Sequence, residues 1–225
     1  MYNKQEELTE ALIRGDYFKS WDILYSHIKD GYNSTFIFDS LLKQSMYDIG
    51  KLWEKNKITV ADEHLATSVC DFLVTRYSYD YLNIEDNIED REKPRALFFC
   101  LENEEHYLGL KMVASLFKEH HWDVKFLGPN LPLEYAIYSA RKWSPEVIGL
   151  SLSITHLIPR LSEYISNLEK LDHNPKILVG GRLTTQYDLR PYCSEQTIIL
   201  KEMNEVHQFL QAYKKEEEVG VSRSV

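Results

Sequence analysis

Residues 95–109 read Arg95-Ala96-Leu97-Phe98-Phe99-Cys100-Leu101-Glu102-Asn103-Glu104-Glu105-His106-Tyr107-Leu108-Gly109, and an amphipathic stretch follows to His120. The unbroken apolar run at 96–101 is the pattern of a strand buried on both faces. A charged loop follows it, then a helix. The same alternation recurs down the chain. Strands are expected at 96–101, 124–127, 147–153, 177–179 and 197–200, with helices around 107–120, 132–142, 157–171 and 203–214. Five strands alternating with helices predict an α/β domain, a five-stranded parallel sheet of flavodoxin or Rossmann-like type over 95–214.

Upstream the period is that of helices. Leu8, Leu12 and Ile13 precede Gly15 as a stop, and Asp16 is placed to cap a second helix running to Gly31. Ser34 is placed to cap a third, with Phe38, Leu41, Leu42, Met46, Ile49 and Trp53 at spacings of three and four, and Asn56-Lys57 breaks it. Thr59 is placed to cap a fourth, whose apolar positions include Leu65, Val69, Phe72 and Leu73. Residues 1–82 therefore predict an all-α N-terminal domain, a four-helix bundle. Between the domains, residues 83–94 carry seven charges in twelve positions and end in Pro94, the composition of a linker. Residues 215–225 show no core pattern and are expected to form a flexible tail.

Composition narrows the function. The 225-residue chain has 26 basic and 35 acidic side chains, a net charge of −9, so direct nucleic-acid binding is not expected. No apolar run is long enough to span a membrane and the N-terminus is not signal-like, which predicts a cytoplasmic protein without a membrane partner. Cys70, Cys100 and Cys193 are too scattered for a disulfide framework or a CxxC site and read as buried apolar side chains.

In a doubly wound sheet the ligand crevice lies beyond the carboxyl ends of the strands at the topological switch point, here between the first and third strands. That rule selects the loop 102–109 and the hydroxyl row Ser151, Ser153 and Thr155. Neither GxGxxG nor GxxxxGK[ST] is present, which argues against dinucleotides and nucleoside triphosphates. A metal-ligating histidine commonly passes its other ring proton to a carboxylate, and Glu104 stands two residues before His106. The fourth strand ends at Gly180-Gly181, where backbone can approach a ligand closely. His120, His121 and His156 read as residues of helix ends.

Glu104-x-His106-x-x-Gly109, then Ser151 and Thr155, then Gly180-Gly181, resembles the cobalamin-binding domain of methionine synthase and corrinoid proteins. Its usual pattern is Asp-x-His-x-x-Gly, Ser-x-Leu and Gly-Gly. The departures are Glu104 for Asp and Ser153 for Leu. The resemblance implies that His106 is the lower axial ligand of cobalt, that Ser151 and Thr155 lie along the displaced nucleotide tail, and that Gly180 and Gly181 line its slot, with Ser153 making that wall more polar. In the helical part, Trp53, nine residues, then Glu63-His64 is similar to light-sensing, adenosylcobalamin-dependent regulators of the CarH and LitR type and antirepressors of the AerR type. That likeness implies a bundle capping the upper face of the corrin, with Trp53 against the adenosyl group, Glu63 accepting hydrogen bonds from it, and His64 taking the cobalt once light has released it.

The resemblance implies a regulatory binding protein, not an enzyme, with no catalytic residue. Its cofactor would be cobalamin, with the adenosyl form ahead of the methyl form. The bundle starts within the first few residues with no basic helix-turn-helix ahead of it, so the output is expected through a protein partner such as a transcription regulator, or through homo-oligomer assembly. A corrinoid methyl carrier of a methyltransferase system is the alternative. A haem- or bilin-binding sensor on the same fold is another.

Overall fold

The computed structural model describes residues 2–82 and 93–222. The chain divides into two compact units, Met1–Asn83 and Ile84–Val225. The expected linker lies outside the described residues except for Lys93 and Pro94. Pro94 already belongs to the second unit, where its carbonyl accepts the Asp123 N–H at 2.9 Å.

The first unit is helical: α1 (Tyr2–Ile13), α2 (Tyr17–Lys29), a π-helical stretch (Phe36–Leu42) running into α3 (Lys43–Glu54), and α4 (Val60–Tyr81). Gly15, at φ +68°, turns the chain where Leu65 leaves no room for a side chain, since a Cβ there would meet Leu65 Cδ2 at 2.8 Å. Asp16 Oδ1 then accepts the Lys19 N–H at 2.9 Å, the expected cap of α2. Thr59 caps α4 through a reciprocal capping box with Asp62.

Two expectations are corrected. The cap before the third helix is Asn33, whose Oδ1 accepts the Phe36 N–H at 3.0 Å, while Ser34 is buried. The helix then opens into π turns, which bring the two neighbouring apolar pairs Ile37/Phe38 and Leu41/Leu42 inward together. On α4 the buried stripe is Ala66, Val69, Cys70, Leu73, Val74 and Tyr77, at helical spacings of three and four. Leu65 and Phe72 lie on its exposed flank, Leu65 over Gly15 and Phe72 edge-on to Tyr17.

The second unit is a five-stranded, all-parallel sheet in the order β2-β1-β3-β4-β5. Its strands are β1 (Arg95–Leu101), β2 (Asp123–Leu131), β3 (Val147–Ser151), β4 (Lys176–Gly180) and β5 (Ile198–Ile199). Its helices are α5 (Leu108–Glu119), α6 (Leu133–Trp143), α7 (Ile158–Leu168), a short α8 (Leu183–Gln186) and α9 (Met203–Ser222). On one face Leu97, Phe99, Leu101, Ile148 and Leu150 pack with Ala136 and Ala140 of α6 and with Leu161, Tyr164 and Ile165 of α7. On the other, Phe98 meets Phe117 of α5, and the aromatic contacts continue through Trp122 to Tyr213 of α9. Gly149 makes room for this layer, because a Cβ there would lie 2.4 Å from the Phe98 ring.

The expected strand boundaries shift for identifiable reasons. β2 runs on to Leu131 because Gly128, at φ +83°, absorbs a bulge against β1. Beyond Ser151 the Leu152 amide still donates to Gly180 O at 3.3 Å, but those of Ser153 and Ile154 are taken by a side chain, and β3 goes no further. Between β4 and β5 the connection is α8 and a 3₁₀ turn at Arg190–Tyr192, which no periodicity announced. α9 continues past 214 to Ser222, against the expected tail, because Lys and Glu are good helix formers without an apolar face to mark them.

Candidate functional site

The loop between β1 and α5 is a tight, heavily tied turn. Leu101 O accepts the Glu104 N–H at 2.9 Å, and Asn103 sits at φ +68°, a conformation asparagine tolerates better than most residues. Asn130, at the end of β2, clamps the turn from outside: its Oδ1 accepts the Asn103 N–H at 2.8 Å and its N–H donates to Glu104 O at 3.0 Å. From below, the buried Tyr164 hydroxyl accepts the Glu102 N–H at 3.2 Å and donates to Leu131 O at 2.8 Å. Arg160 pairs with Glu102 at 2.6 Å.

The carboxylate of Glu104 is fully buried. Its Oε1 accepts from His106 Nδ1 at 2.6 Å and from the His106 N–H at 2.9 Å. Its Oε2 accepts from the Ser153 N–H and, at 3.2 Å, from the Ile154 N–H. Burial alone would push this carboxyl up, but the hydrogen bonds from the His106 ring, the Ser153 amide and the His106 amide outweigh it and hold Glu104 below its ordinary value. Glu104 is therefore an ionised brace joining the ends of β1 and β3.

His106 remains 56 % exposed, with Nδ1 committed to Glu104, which leaves Nε2 as the nitrogen facing away from that brace. Gly109 opens the first turn of α5, and a Cβ there would meet nothing within 4 Å. The neighbouring Cys100 is a buried neutral thiol, pushed up to about 12 by burial and by Glu104 and Glu105. A half-exposed imidazole whose tautomer is fixed by a carboxylate is a nitrogen donor suited to a metal ion.

The other expected residues divide. Ser151 is buried at the end of β3, Ser153 contributes its amide to Glu104, and Thr155 is exposed at the head of a 3₁₀ turn. Gly181, at φ +107°, is required by the fold itself, since a Cβ would lie 2.4 Å from Leu152 O and 2.9 Å from Ser151 Oγ. Gly180 is less crowded, its nearest neighbour being Leu200 O at 3.8 Å. A cleft of about 490 Å³ opens beside α8, lined by Thr184, Tyr187, Asp188, Arg190, Ile199 and Lys201 among others. Its lining includes neither Gly180 and Gly181 nor a residue of the His106 loop.

In the helical unit, Trp53, Glu63 and His64 flank one short connection. α3 ends where Asn56, at φ +54°, donates to Trp53 O at 2.8 Å and Lys57 donates to Leu52 O at 2.9 Å. Trp53 is 49 % exposed although it follows Ile49 at helical spacing. His64, at the start of the second turn of α4, has its side chain 76 % exposed, with Nε2 3.8 Å from Glu63 Oε2. Glu63 Oε1 accepts loosely from Thr67 Oγ1 at 3.4 Å.

Sequence reasoning did not find Asn130, Tyr164 or Arg160. Asn130 alone left a trace, as a turn-forming residue at a strand end. Among the described residues no group of three or more His, Cys, Asp or Glu side chains gathers as a metal cage, and no helix is long and apolar enough to cross a membrane.

Comparison with known proteins converges on one ligand. Residues 94–202 match a family model described as a B12 binding domain, and residues 4–76 match a second of the same description. The HTH-type transcriptional repressor CarH of Myxococcus xanthus is 26 % identical over 145 residues, 64 % of this chain and 46 % of that protein. Dimethylamine corrinoid protein 1 of Methanosarcina acetivorans is 27 % identical over 88 residues, 38 % of this chain and 41 % of that one. The alignments thus span less than half the length of these two relatives. A corrinoid protein of Desulfitobacterium hafniense is 20 % identical over 183 residues, 80 % of this chain and 84 % of its own length. In fold, the monomethylamine corrinoid protein of Methanosarcina barkeri superposes with a TM-score of 0.68 at 18 % identity, over 91 % of this chain and 96 % of that one.

Proposed function

The chain belongs to the B12 binding domain family and binds cobalamin, and from that premise we propose that it is an adenosylcobalamin-holding light sensor of the cytoplasm that signals through a protein partner or a change of assembly. When bound, adenosylcobalamin supplies a cobalt–carbon bond that visible light breaks. His106 would hold cobalt through Nε2, with its tautomer and orientation fixed by Glu104. Ser151, Ser153, Thr155, Gly180 and Gly181 would border the nucleotide tail. From the helical unit, Trp53 would exclude water from the adenosyl group, Glu63 would accept hydrogen bonds from it, and His64 would be the imidazole available to cobalt once that group has left.

The observation that supports this reading is the pair Trp53 and His64, both solvent-facing on either side of the α3–α4 connection, where a core role would have buried them. An exposed imidazole costs little to move, which is what a ligand needed in only one of two states requires.

The second reading is a corrinoid methyl carrier, favoured by the likeness in fold to the monomethylamine corrinoid protein. One experiment separates them. The protein is loaded with adenosylcobalamin in darkness, and absorption spectra are recorded before and after green illumination for the native chain and for His64→Ala. The sensor reading expects a stable light product that requires His64. A native product identical to that of His64→Ala, or conversion no faster than in free cofactor, overturns it in favour of the carrier.

A further inference from the structure

A second cluster of imidazoles lies away from the His106 loop. His120 closes α5 as its C-terminal cap, and His207 stands in the second turn of α9. The two rings meet with Nε2 of His120 3.2 Å from Nδ1 of His207, at a centroid separation of 5.2 Å and an interplanar angle of 65°. Two imidazole nitrogens bound to one tetrahedral ion at about 2.0–2.1 Å each stand roughly 3.3 Å apart. The observed spacing matches that bite.

We propose that His120 and His207 form a transition-metal site, distinct from the cobalamin site, for a divalent ion of the zinc, nickel or copper class, with solvent or an external ligand completing the coordination. The surroundings favour it. Both rings are half-buried, and the segments that carry them are held together by the contacts of Phe117 with Phe209 and of Trp122 with Tyr213. The His120 amide donates to Leu116 O and Phe117 O at 3.1 Å, placing the ring at the negative end of the α5 dipole, where a cation is stabilised. Around it, Glu119 adds a favourable charge, and His121 and Lys214 oppose it. Two protein donors make an exchangeable site that ties α5 to α9, not a structural cage.

An ordinary N–H···N hydrogen bond also brings two rings to this distance, and metal titration decides between them. The probe is Zn²⁺ added to the corrinoid-free full chain, followed by calorimetry and by thermal unfolding. The native protein is expected to bind one equivalent and to gain thermal stability with it. His120→Gln and His207→Gln should each weaken binding at least about tenfold and abolish the zinc-dependent gain, whereas His64→Ala and His106→Ala should leave both unchanged. Zinc affinity that survives His207→Gln overturns the proposal, as does binding that disappears with His64 or His106. Should His120→Gln fail to fold, His207→Gln, on one of the outer turns of α9, decides alone.

Discussion

The His106 loop and the α3–α4 connection both present a histidine beside a glutamate, and they are built in opposite ways. Glu104 is fully buried and accepts four hydrogen bonds from two loops, so His106 is held in one tautomer and one orientation before any ligand arrives. Glu63 makes only long contacts, 3.4 Å to Thr67 and 3.8 Å to His64, and His64 is mostly solvated. A preorganised ligand suits a bond kept in every state of the protein. A loosely held one suits a bond made in a single state.

The contrast is broken most directly at its rigid end. Glu104→Ala leaves the Ser153 and Ile154 amides and the His106 ring without their acceptor, and should cost about 2–3 kcal/mol of stability, read by denaturant unfolding of the cobalamin-free chain. A loss under 1 kcal/mol would mean that the brace is not rigid. Gly181→Ala forces a Cβ onto Leu152 O at φ +107° and should cost about 1–3 kcal/mol in the same measurement. It removes no hydrogen bond, which separates backbone crowding from the effect of the brace. Glu104→Asp sharpens the comparison. The shorter side chain retains His106 but should lose Ser153 and Ile154, so amide exchange at 153 and 154 should accelerate while unfolding shifts by only about 1 kcal/mol.

At the loose end the effects on folding should be small. His64→Ala should change the stability of the cobalamin-free protein by no more than about 0.5 kcal/mol, as for an exposed side chain without structural work. A larger loss would place His64 in the fold and weaken its assignment as a mobile ligand. The smallest effect belongs to Asp62, in the first turn of α4 one residue before Glu63. The side-chain and then the backbone hydrogen bond with Thr59 hold it below its ordinary value. A depressed carboxylate stabilises above the ordinary carboxylate range and ceases to as pH falls through its own lowered value. Acid should therefore fray the first turn of α4 before the rest, seen as faster exchange at the amides of Asp62 and Glu63.

How far these features were legible depended on the distance over which they are encoded. The alternation of strands and helices, the caps Asp16 and Thr59, and the neighbourhood of Glu104 and His106 are written within a few residues and were readable. The hold of Glu104 on Ser153 spans 49 residues, and nothing in either segment announces the other. Spacing alone misled at Leu65 and Phe72, since it shows that an apolar stripe exists but not how wide the buried part is. Ser34 lost the cap to Asn33 because the helix begins one residue earlier than the hydrophobic pattern suggests, and the choice between neighbouring capping residues is made by burial.

Phe98 and Gly149, on adjacent strands, divide a single volume between them. Neither position is free to drift by itself: any side chain at 149 first needs a smaller neighbour at 98, and a smaller residue at 98 alone opens a void in the centre of the sheet. Across a lineage the two should change together, in a fixed order, through a less stable intermediate. A record of such paired replacements in descendants of this sequence would show the sheet keeping its thickness while its residues exchange.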